Sequence, residues 1–161
     1  MKVPNTPLKT ELFNFKRHDI AQVVAIEQQL YNDLAYPELL FYQAVHQWPS
    51  SQFICRDADN ILAYAMYAPA EKANTLWLMS AAVKPNCQGR GVGTKLLSDS
   101  LRSLDEQGTT SILLSVAPNN AAAVSVYEKL GFEVIETAED YLGQGQHRLI
   151  MQRKITDKDS L

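Results

Sequence analysis

Three glycines at alternate positions mark the part of the sequence best suited to bind a ligand. Gly89, Gly91 and Gly93 follow an apolar segment and stand where an amphipathic helix is predicted to begin. Glycine has no side chain to keep a ligand from the backbone, and it tolerates dihedral angles that other residues avoid. The amides at a helix N-terminus also carry partial positive charge. The spacing therefore indicates a turn whose amides bind a phosphate or a diphosphate.

The same turn departs from two well-known phosphate-binding patterns. A Walker-type loop ends in Gly-Lys-Ser/Thr, whereas this cluster ends in Gly91-Val92-Gly93-Thr94. A dinucleotide fingerprint places its third glycine one position later and needs an acidic residue at the end of the next strand. That strand, predicted at residues 111–116, has no acidic residue. Neither a P-loop nor a Rossmann-type nucleotide site is therefore indicated.

Side chains beside the turn suit an anion, whereas no pattern suits a metal. Arg90 and Lys95 add positive charge, and the Thr94 hydroxyl can donate a further hydrogen bond. The three histidines lack the spacing of metal ligands. The two cysteines, Cys55 and Cys87, cannot form a disulfide framework, and we expect both to be reduced and inert. The sequence thus predicts an anion site without metal chemistry.

Hydrophobic periodicity predicts short strands and helices on both sides of the turn. Thr75–Val83 is a central strand directly before it. The helix after it ends near Gly108 and buries one apolar stripe, formed by Val92, Leu96, Leu97, Leu101 and Leu104. The other predicted elements are a strand at 11–16, helices at about 20–31 and 37–46, strands at 52–56, 61–68 and 110–116, a short helix capped by Asn120, and a closing hairpin of strands at 132–137 and 146–155.

Length and charge limit the classes of protein to consider. The 161 residues suit a single domain over residues 1–161, with 1–10 and 156–161 expected to be loose. No apolar run approaches the ~20 residues of a membrane span and no signal pattern is present, so a cytoplasmic location is expected. A net charge of -3 gives no general attraction for nucleic acid. We expect no nucleic-acid or membrane partner, and either a monomer or a homodimer.

The order of elements and two motifs resemble the GNAT superfamily of acyl-CoA-dependent N-acetyltransferases over roughly residues 10–155. Val83-x-Pro85 followed by Gln88-Gly89-Arg90-Gly91-Val92-Gly93 is similar to the Arg/Gln-x-x-Gly-x-Gly/Ala motif. Asn120 with Tyr127-Glu128-Lys129-Leu130-Gly131-Phe132 is similar to the second motif, notably that of the ribosomal-protein alanine acetyltransferases. The resemblance implies an α/β (α+β) fold with a mixed, mostly antiparallel seven-stranded sheet, flanked by about four helices and splayed at its central strands.

The resemblance also implies acetyl-CoA as cosubstrate and names the residues that would bind it. The main chain of the central strand would pair with the pantetheine arm, the amides of the turn would hold the diphosphate, and Asn120 would bond the arm near the thioester. The implied cofactor-binding residues are Ala81, Ala82, Val83, Gln88, Gly89, Arg90, Gly91, Val92, Gly93, Thr94, Asn120 and Tyr127.

By the same resemblance, Tyr127 is the catalytic general acid. Its unperturbed pKa of about 10 keeps the phenol protonated at neutral pH, ready to protonate the leaving thiolate. The ribosomal-protein alanine acetyltransferases use a Glu base on the preceding strand, but Ser115 stands at that position here, and a hydroxyl cannot replace a carboxylate as base. Either another acid acts through a water molecule or solvent takes the proton. Four acids are base candidates by region, each expected to be a solvated surface group: Glu27, Glu38, Glu71 and Asp140.

The resemblance places the choice of amine in the first helix pair and the closing hairpin. These segments carry acids and aromatics that suit a cationic amine, although several aromatics are expected in the core: Tyr31, Asp33, Tyr36, Glu38, Tyr42, Trp48, Glu139, Asp140 and Tyr141. Whether the amine is a small molecule or a peptide stays open. The alternative function is a non-catalytic acyl-CoA sensor of the same fold. A purely structural dimerisation domain would leave the glycine turn without a purpose.

Overall fold

The computed structural model describes residues 11–155, so the expectation that both termini are loose lies outside the described residues. Within this range the chain forms seven strands and four α-helices. They are β1 Glu11–Asn14, α1 Ile20–Tyr31, α2 Glu38–Gln47, β2 Gln52–Asp57, β3 Asn60–Pro69, β4 Thr75–Val83, α3 Val92–Glu106, β5 Ser111–Val116, α4 Ala121–Lys129, β6 Glu133–Ala138 and β7 Arg148–Lys154. None of the helices in the described range has the length and hydropathy needed to cross a membrane.

The strands belong to one mixed sheet in the order β1-β2-β3-β4-β5-β7-β6. β2 runs antiparallel to both β1 and β3, and β7 runs antiparallel to both β5 and β6. The parallel pair is formed by β4 and β5, where Thr75–Trp77 lies opposite Ser111–Leu113. For residues 11–155, the predicted mostly antiparallel seven-stranded sheet with four helices is confirmed.

The chain divides into two compact units. The first unit contains the described residues up to Met66 together with Ser80–Ser100, and the second contains Tyr67–Met79 together with the described residues from Leu101 onward. β3, β4 and α3 each contribute residues to both units. The glycine turn therefore belongs to the first unit, whereas Asn120 and Tyr127 belong to the second.

The first unit buries the inner faces of α1 and α2 and most of β2 and β3. α2 contacts β3 through Phe41, whose ring meets that of Tyr64 edge-on at a centroid distance of 6.1 Å. Pro37, predicted as the first helical residue, has an extended ψ of 150° and so stands just before α2. The largest buried side chains of this unit include Phe15, Ile20, Phe41, Phe53, Ile54, Ile61, Tyr64 and Met66.

The second unit is built on β5, β7 and β6 with α4 and the end of α3. Arg153 on β7 makes two parallel hydrogen bonds of 2.8 Å to the Asp105 carboxylate on α3. Gly131 follows α4 with φ 96°, and Gly108 follows α3 with φ 94°, both in the left-handed region predicted for helix ends. The buried side chains of this unit include Tyr67, Leu101, Leu104, Ile112, Leu114, Phe132 and Met151.

The Cys55 thiol in β2 gives the protein a measurable response to alkaline pH. Cys55 is only 2% exposed, and burial, reinforced by Cys87, raises its pKa from 9.0 to about 11. Between these values the unfolded chain loses the thiol proton and the folded chain keeps it, so the free energy of unfolding falls as pH rises. We expect the wild type to lose about 1 to 2 kcal/mol from pH 8.5 to 11 that Cys55→Ala does not lose.

Urea unfolding at several pH values measures this difference. The other ionisable side chains are the same in both proteins, so the difference between the two pH slopes isolates the thiol. Parallel slopes for wild type and Cys55→Ala would contradict the predicted contribution of Cys55.

Candidate active site

The glycine turn lies between the end of β4 and the start of α3, and its backbone is open. Gly89 and Gly91 have φ of 76° and 77°, a region in which other residues are strained. A Cβ atom built on either glycine would meet nothing within 4 Å. The turn is exposed from Gln88 to Gly91. The backbone here therefore combines a conformation that requires glycine with free space beside it.

The third glycine serves a different purpose, because it brings α3 close to β4. A Cβ atom on Gly93 would lie 2.8 Å from Cγ2 of Val83, closer than real Cβ contacts come. Gly93 is in the first turn of α3 and Val83 is the last residue of β4. Close packing between these residues sets the N-terminus of α3 directly beside the end of the strand.

The charge around the turn differs in part from the prediction. Arg90 is exposed and Thr94 is exposed in the first turn of α3, as an anion site requires. Lys95 instead pairs with Asp99, four residues later, at 2.6 Å. Because that carboxylate offsets its charge, Lys95 adds less positive potential to the turn than its type predicts.

The last three residues of β4 are held by side chains from elsewhere in the first unit. The Tyr31 hydroxyl donates to the Ala81 carbonyl at 2.5 Å, and the Gln88 side-chain amide donates to the Val83 carbonyl at 3.2 Å. Each carbonyl oxygen has two lone pairs, so one remains for a further donor. The sequence predicted a role in binding for the backbone amide of Gln88. It predicted neither the Tyr31 contact with Ala81 nor the contact of the Gln88 side chain with Val83.

The edge of β4 that these carbonyls occupy follows from the strand geometry. The amide of Lys84 donates to the Leu62 carbonyl of β3 at 2.8 Å. In a strand the N–H and C=O of one residue point to the same edge, and those of the next residue point to the opposite edge. Ala81 and Val83 therefore present their N–H and C=O groups at the edge of β4 that faces away from β3, whereas those of Ala82 face β3.

In the second unit, Asn120 caps α4 as predicted. Its Oδ1 accepts a hydrogen bond from the amide of Ala123 at 3.2 Å, and Asn120 is exposed. Two amide protons on Nδ2 are not used by this cap. The side chain is thus oriented by its own helix with a donor group still directed outward from the cap.

Tyr127 lies in α4, seven residues or two helical turns after Asn120. Its ring is half-buried and meets Phe132 edge-on at 5.7 Å. Burial raises the pKa of Tyr127 above its ordinary value. The phenol therefore holds its proton throughout the neutral and mildly alkaline range, as a proton donor must.

The acids proposed as base candidates separate into two groups. Glu38, Glu71 and Asp140 are exposed, as expected. Glu27 is not: it is 1% exposed, so the expectation of a solvated surface acid was wrong. The signal was in the sequence, because Glu27 falls on the stripe formed by Val23, Val24 and Leu30 at helical spacing.

Within the described residues the two cysteines belong to no group of metal ligands. Cys55 and Cys87 are both buried and free of disulfides. The Cys87 thiol donates to Oδ1 of Asn86 at 3.3 Å. Across residues 11–155 no group of three or more His, Cys, Asp or Glu side chains is placed to hold a metal ion.

Comparison with known proteins places this architecture in a family. The model of the acetyltransferase (GNAT) family matches residues 18–132, from just before α1 to just after α4. The chain belongs to the GNAT family. The match contains both the glycine turn and the α4 motif, so the family predicted from these segments is confirmed.

Individual relatives of this GNAT protein agree with the family match. The chain is 32% identical over 110 residues to N-alpha-acetyltransferase 30 of Schizosaccharomyces pombe, covering 65% of this chain and 73% of the relative. The crystal structure of the ribosomal-protein-S18-alanine N-acetyltransferase from Escherichia coli superposes with a TM-score of 0.79 at 24% identity, covering 91% of this chain and 94% of that one. The structure of yncA from Salmonella typhimurium with its cofactor acetyl-CoA gives 0.76 at 20% identity, covering 92% and 95%.

These likenesses bear on the two functions left open by the sequence. The solved structures establish the GNAT fold, and the curated relative is named as an acetyltransferase. A non-catalytic acyl-CoA sensor is not favoured by this set of relatives.

Because α3 lies so close to β4, we expect the effect of Gly93→Ala on the free energy of unfolding to change sign when Val83 is replaced by alanine. Gly93→Ala places a methyl group against Val83 and should lower the free energy of unfolding by about 1 kcal/mol or more. In a Val83→Ala background the space is vacant, and alanine is the better helix former by about 1 kcal/mol. There the same substitution should be neutral or stabilising.

Urea unfolding of the four proteins in this cycle gives both values. An effect of Gly93→Ala that has the same sign and size in both backgrounds would contradict the close contact between Gly93 and Val83.

Proposed function

We propose that this chain is an acetyl-CoA-dependent N-acetyltransferase, with residues 1–161 as one catalytic domain. It would move the acetyl group to a primary amine by direct attack of the amine within a ternary complex. The observation that carries the proposal is the glycine turn: an exposed backbone held in left-handed conformations directly before the N-terminus of α3.

The residues present fit a coenzyme with a diphosphate group. The turn offers backbone amides and the positive end of the α3 dipole, with no side chain in the space beside Gly89 and Gly91. Amides from Gln88 to Thr94 are the proposed diphosphate ligands, and Arg90 is exposed next to them. When bound, acetyl-CoA supplies the activated acetyl thioester.

The end of β4 is the proposed partner of the pantetheine arm. Ala81 and Val83 present their N–H and C=O groups at the edge away from β3, which suits main-chain pairing with an extended ligand. Side-chain donors already fix both carbonyls, so this edge is ordered before a ligand arrives. Two further residues complete the proposed coenzyme-binding set: Ala82 by its position in β4, and Val92 by its position at the start of α3.

The chemistry needs one donor for the developing oxyanion and one for the leaving sulfur. A main-chain N–H of β4 is the proposed oxyanion donor. Tyr127 is the proposed general acid, because its raised pKa keeps the proton on Oη. Asn120 is proposed to bond the coenzyme arm through Nδ2, since Oδ1 caps α4.

The amine is proposed to be the α-amino group of a peptide or protein. The S. pombe relative is named an N-alpha-acetyltransferase, and the E. coli structure is of an enzyme that acts on an alanine of ribosomal protein S18. The α1–α2 segment of this chain carries the exposed acids Asp33 and Glu38 beside exposed Leu34 and Leu39. Acidic and apolar groups together suit a cationic peptide end with a side chain.

An acetyl-CoA turnover assay read by thiol release tests the proposed function. The panel contains short peptides with free N-termini, the same peptides with blocked N-termini, polyamines, free amino acids and aminoglycosides. We expect thiol release with free peptide N-termini and none with the blocked forms. If the protein binds the coenzyme tightly but no amine in the panel gives thiol release, the proposed enzyme is excluded and a non-catalytic acyl-CoA sensor is supported.

Tyr127→Phe tests the proton donor without removing the ring. We expect turnover to fall by about 10- to 1000-fold, because the thiolate must then take its proton from solvent. The acetyl-CoA dissociation constant and the midpoint of thermal unfolding should stay near the wild-type values, since the ring contact with Phe132 is retained. Unchanged turnover would exclude Tyr127 as the general acid.

A further inference from the structure

Glu27, a base candidate from its place in the sequence, is a buried carboxylate to which the proposed chemistry assigns no step. It lies on α1 and is 1% exposed. Taking a carboxylate out of water is costly unless hydrogen-bond donors surround it. The position of Glu27 therefore depends on its partners, and these partners connect it to the strand proposed to bind the coenzyme.

Three donors from three segments meet the Glu27 carboxylate. Its Oε2 accepts from the Tyr64 hydroxyl of β3 and from the Ser80 hydroxyl of β4, the latter at 2.7 Å. Its Oε1 accepts from the amide of Tyr36 at 3.2 Å. The Tyr64 and Ser80 hydroxyls are 3.2 Å apart. We call Glu27, Tyr64 and Ser80 the buried cluster.

The buried cluster joins α1 to β3 and β4 inside the first unit. Burial, with the Glu27 carboxylate as the second cause, raises the pKa of Tyr64 above its ordinary value. Tyr64 therefore remains a donor to Glu27 at every pH at which the enzyme would work. The edge-on ring of Phe41 packs against Tyr64 from α2.

A second contact between α1 and β4 lies one helical turn farther along. Tyr31 is four residues after Glu27, so both side chains project from the same face of α1. Glu27 holds Ser80, and Tyr31 holds the carbonyl of Ala81 at 2.5 Å. Two side chains of α1 thus bind two consecutive residues of β4, just before the segment that leads into the glycine turn.

From this arrangement we infer that Glu27 is a positioning residue for acyl transfer. Through Ser80, and together with Tyr31, it holds the end of β4 so that the N–H and C=O groups of Ala81 and Val83 aim the acyl group at the amine. The inference rests on the proposed function. It gives Glu27 no contact with substrate or coenzyme, so its effect is on geometry rather than on proton transfer.

The choice of a carboxylate here is informative because stability alone does not require one. Replacing a buried polar group together with its partners by apolar groups of the same shape is often close to neutral for stability. A hydrogen-bonded cluster instead specifies one arrangement of the elements that it joins. Catalysis is sensitive to that arrangement, because a shift of about 1 Å in a reacting group can cost about 100-fold in rate.

An apolar version of the buried cluster separates positioning from stability. The variant Glu27→Leu, Tyr64→Phe, Ser80→Ala removes all three polar groups together, so none of the three is left without its partner, and outside the buried cluster the Tyr36 amide loses Glu27 as an acceptor. We expect a fall in kcat of about 10- to 100-fold. The dissociation constant of acetyl-CoA, measured by calorimetry without amine, should change by less than about threefold, because the diphosphate site is intact.

The calorimetric stoichiometry distinguishes this result from a loss of folded protein. Misplaced but folded molecules still bind one acetyl-CoA per chain, whereas unfolded molecules lower the apparent number of sites.

Two milder variants extend the test. Tyr31→Phe removes only the hydroxyl that donates to the Ala81 carbonyl, at a partly exposed residue. Glu27→Gln keeps one acceptor oxygen. Each variant should lower kcat by about 3- to 10-fold. Gln28→Leu, at the exposed neighbour of Glu27, is the matched control and should match the wild type.

The possible outcomes are distinct. A reduced kcat with unchanged stoichiometry supports the inference, and wild-type kcat in the apolar variant overturns it. If the apolar variant does not fold, wild-type kcat in both Glu27→Gln and Tyr31→Phe overturns it instead. A wild-type protein that neither binds acetyl-CoA nor releases thiol would contradict the proposed function itself, which the variants alone would not do.

Discussion

The contact between Gly93 and Val83 is the constraint on which the rest of the site depends. A helix can begin this close to the end of a strand only if its first turn carries no side chain at that point. Once α3 is set there, the preceding residues must turn sharply, and Gly89 and Gly91 take up left-handed conformations to do so. The amides of the turn are consequently left exposed at the positive end of α3, where an anion is stabilised.

Much of the fold could be predicted because the relevant signals are local. The bounds of β4 and β5 follow from runs of apolar and β-branched residues. The stripe of α3 follows from its helical period. The cap of α4 by Asn120 and the left-handed Gly131 just past its end follow from residue type. The glycine turn was found for the same reason, since its spacing is legible within a few residues.

The parts that could not be predicted are contacts between residues far apart in the chain. The hydroxyl of Tyr31 reaches Ala81, fifty residues later, and the carboxylate of Glu27 reaches Ser80, fifty-three residues later. Tyr31 was predicted as an aromatic of the segments that choose the amine, with no partner in β4. Glu27 was expected in solvent because acidic side chains are usually exposed, although its position falls on the apolar stripe of α1. The helical period places both side chains on the inward face of α1. Which residue each side chain then contacts is determined by the packing of α1 against β3 and β4.

The central claim is that backbone amides between residues 88 and 94 bind the diphosphate of coenzyme A. The most direct measurement is an NMR titration of ¹⁵N-labelled protein with coenzyme A and, separately, with pantetheine, which lacks the diphosphate. Binding of coenzyme A should shift the amide signals of Gln88 to Thr94 strongly, and pantetheine should leave these signals almost unchanged. Equal shifts with both ligands, or coenzyme A binding that leaves these amides unmoved, would contradict the account.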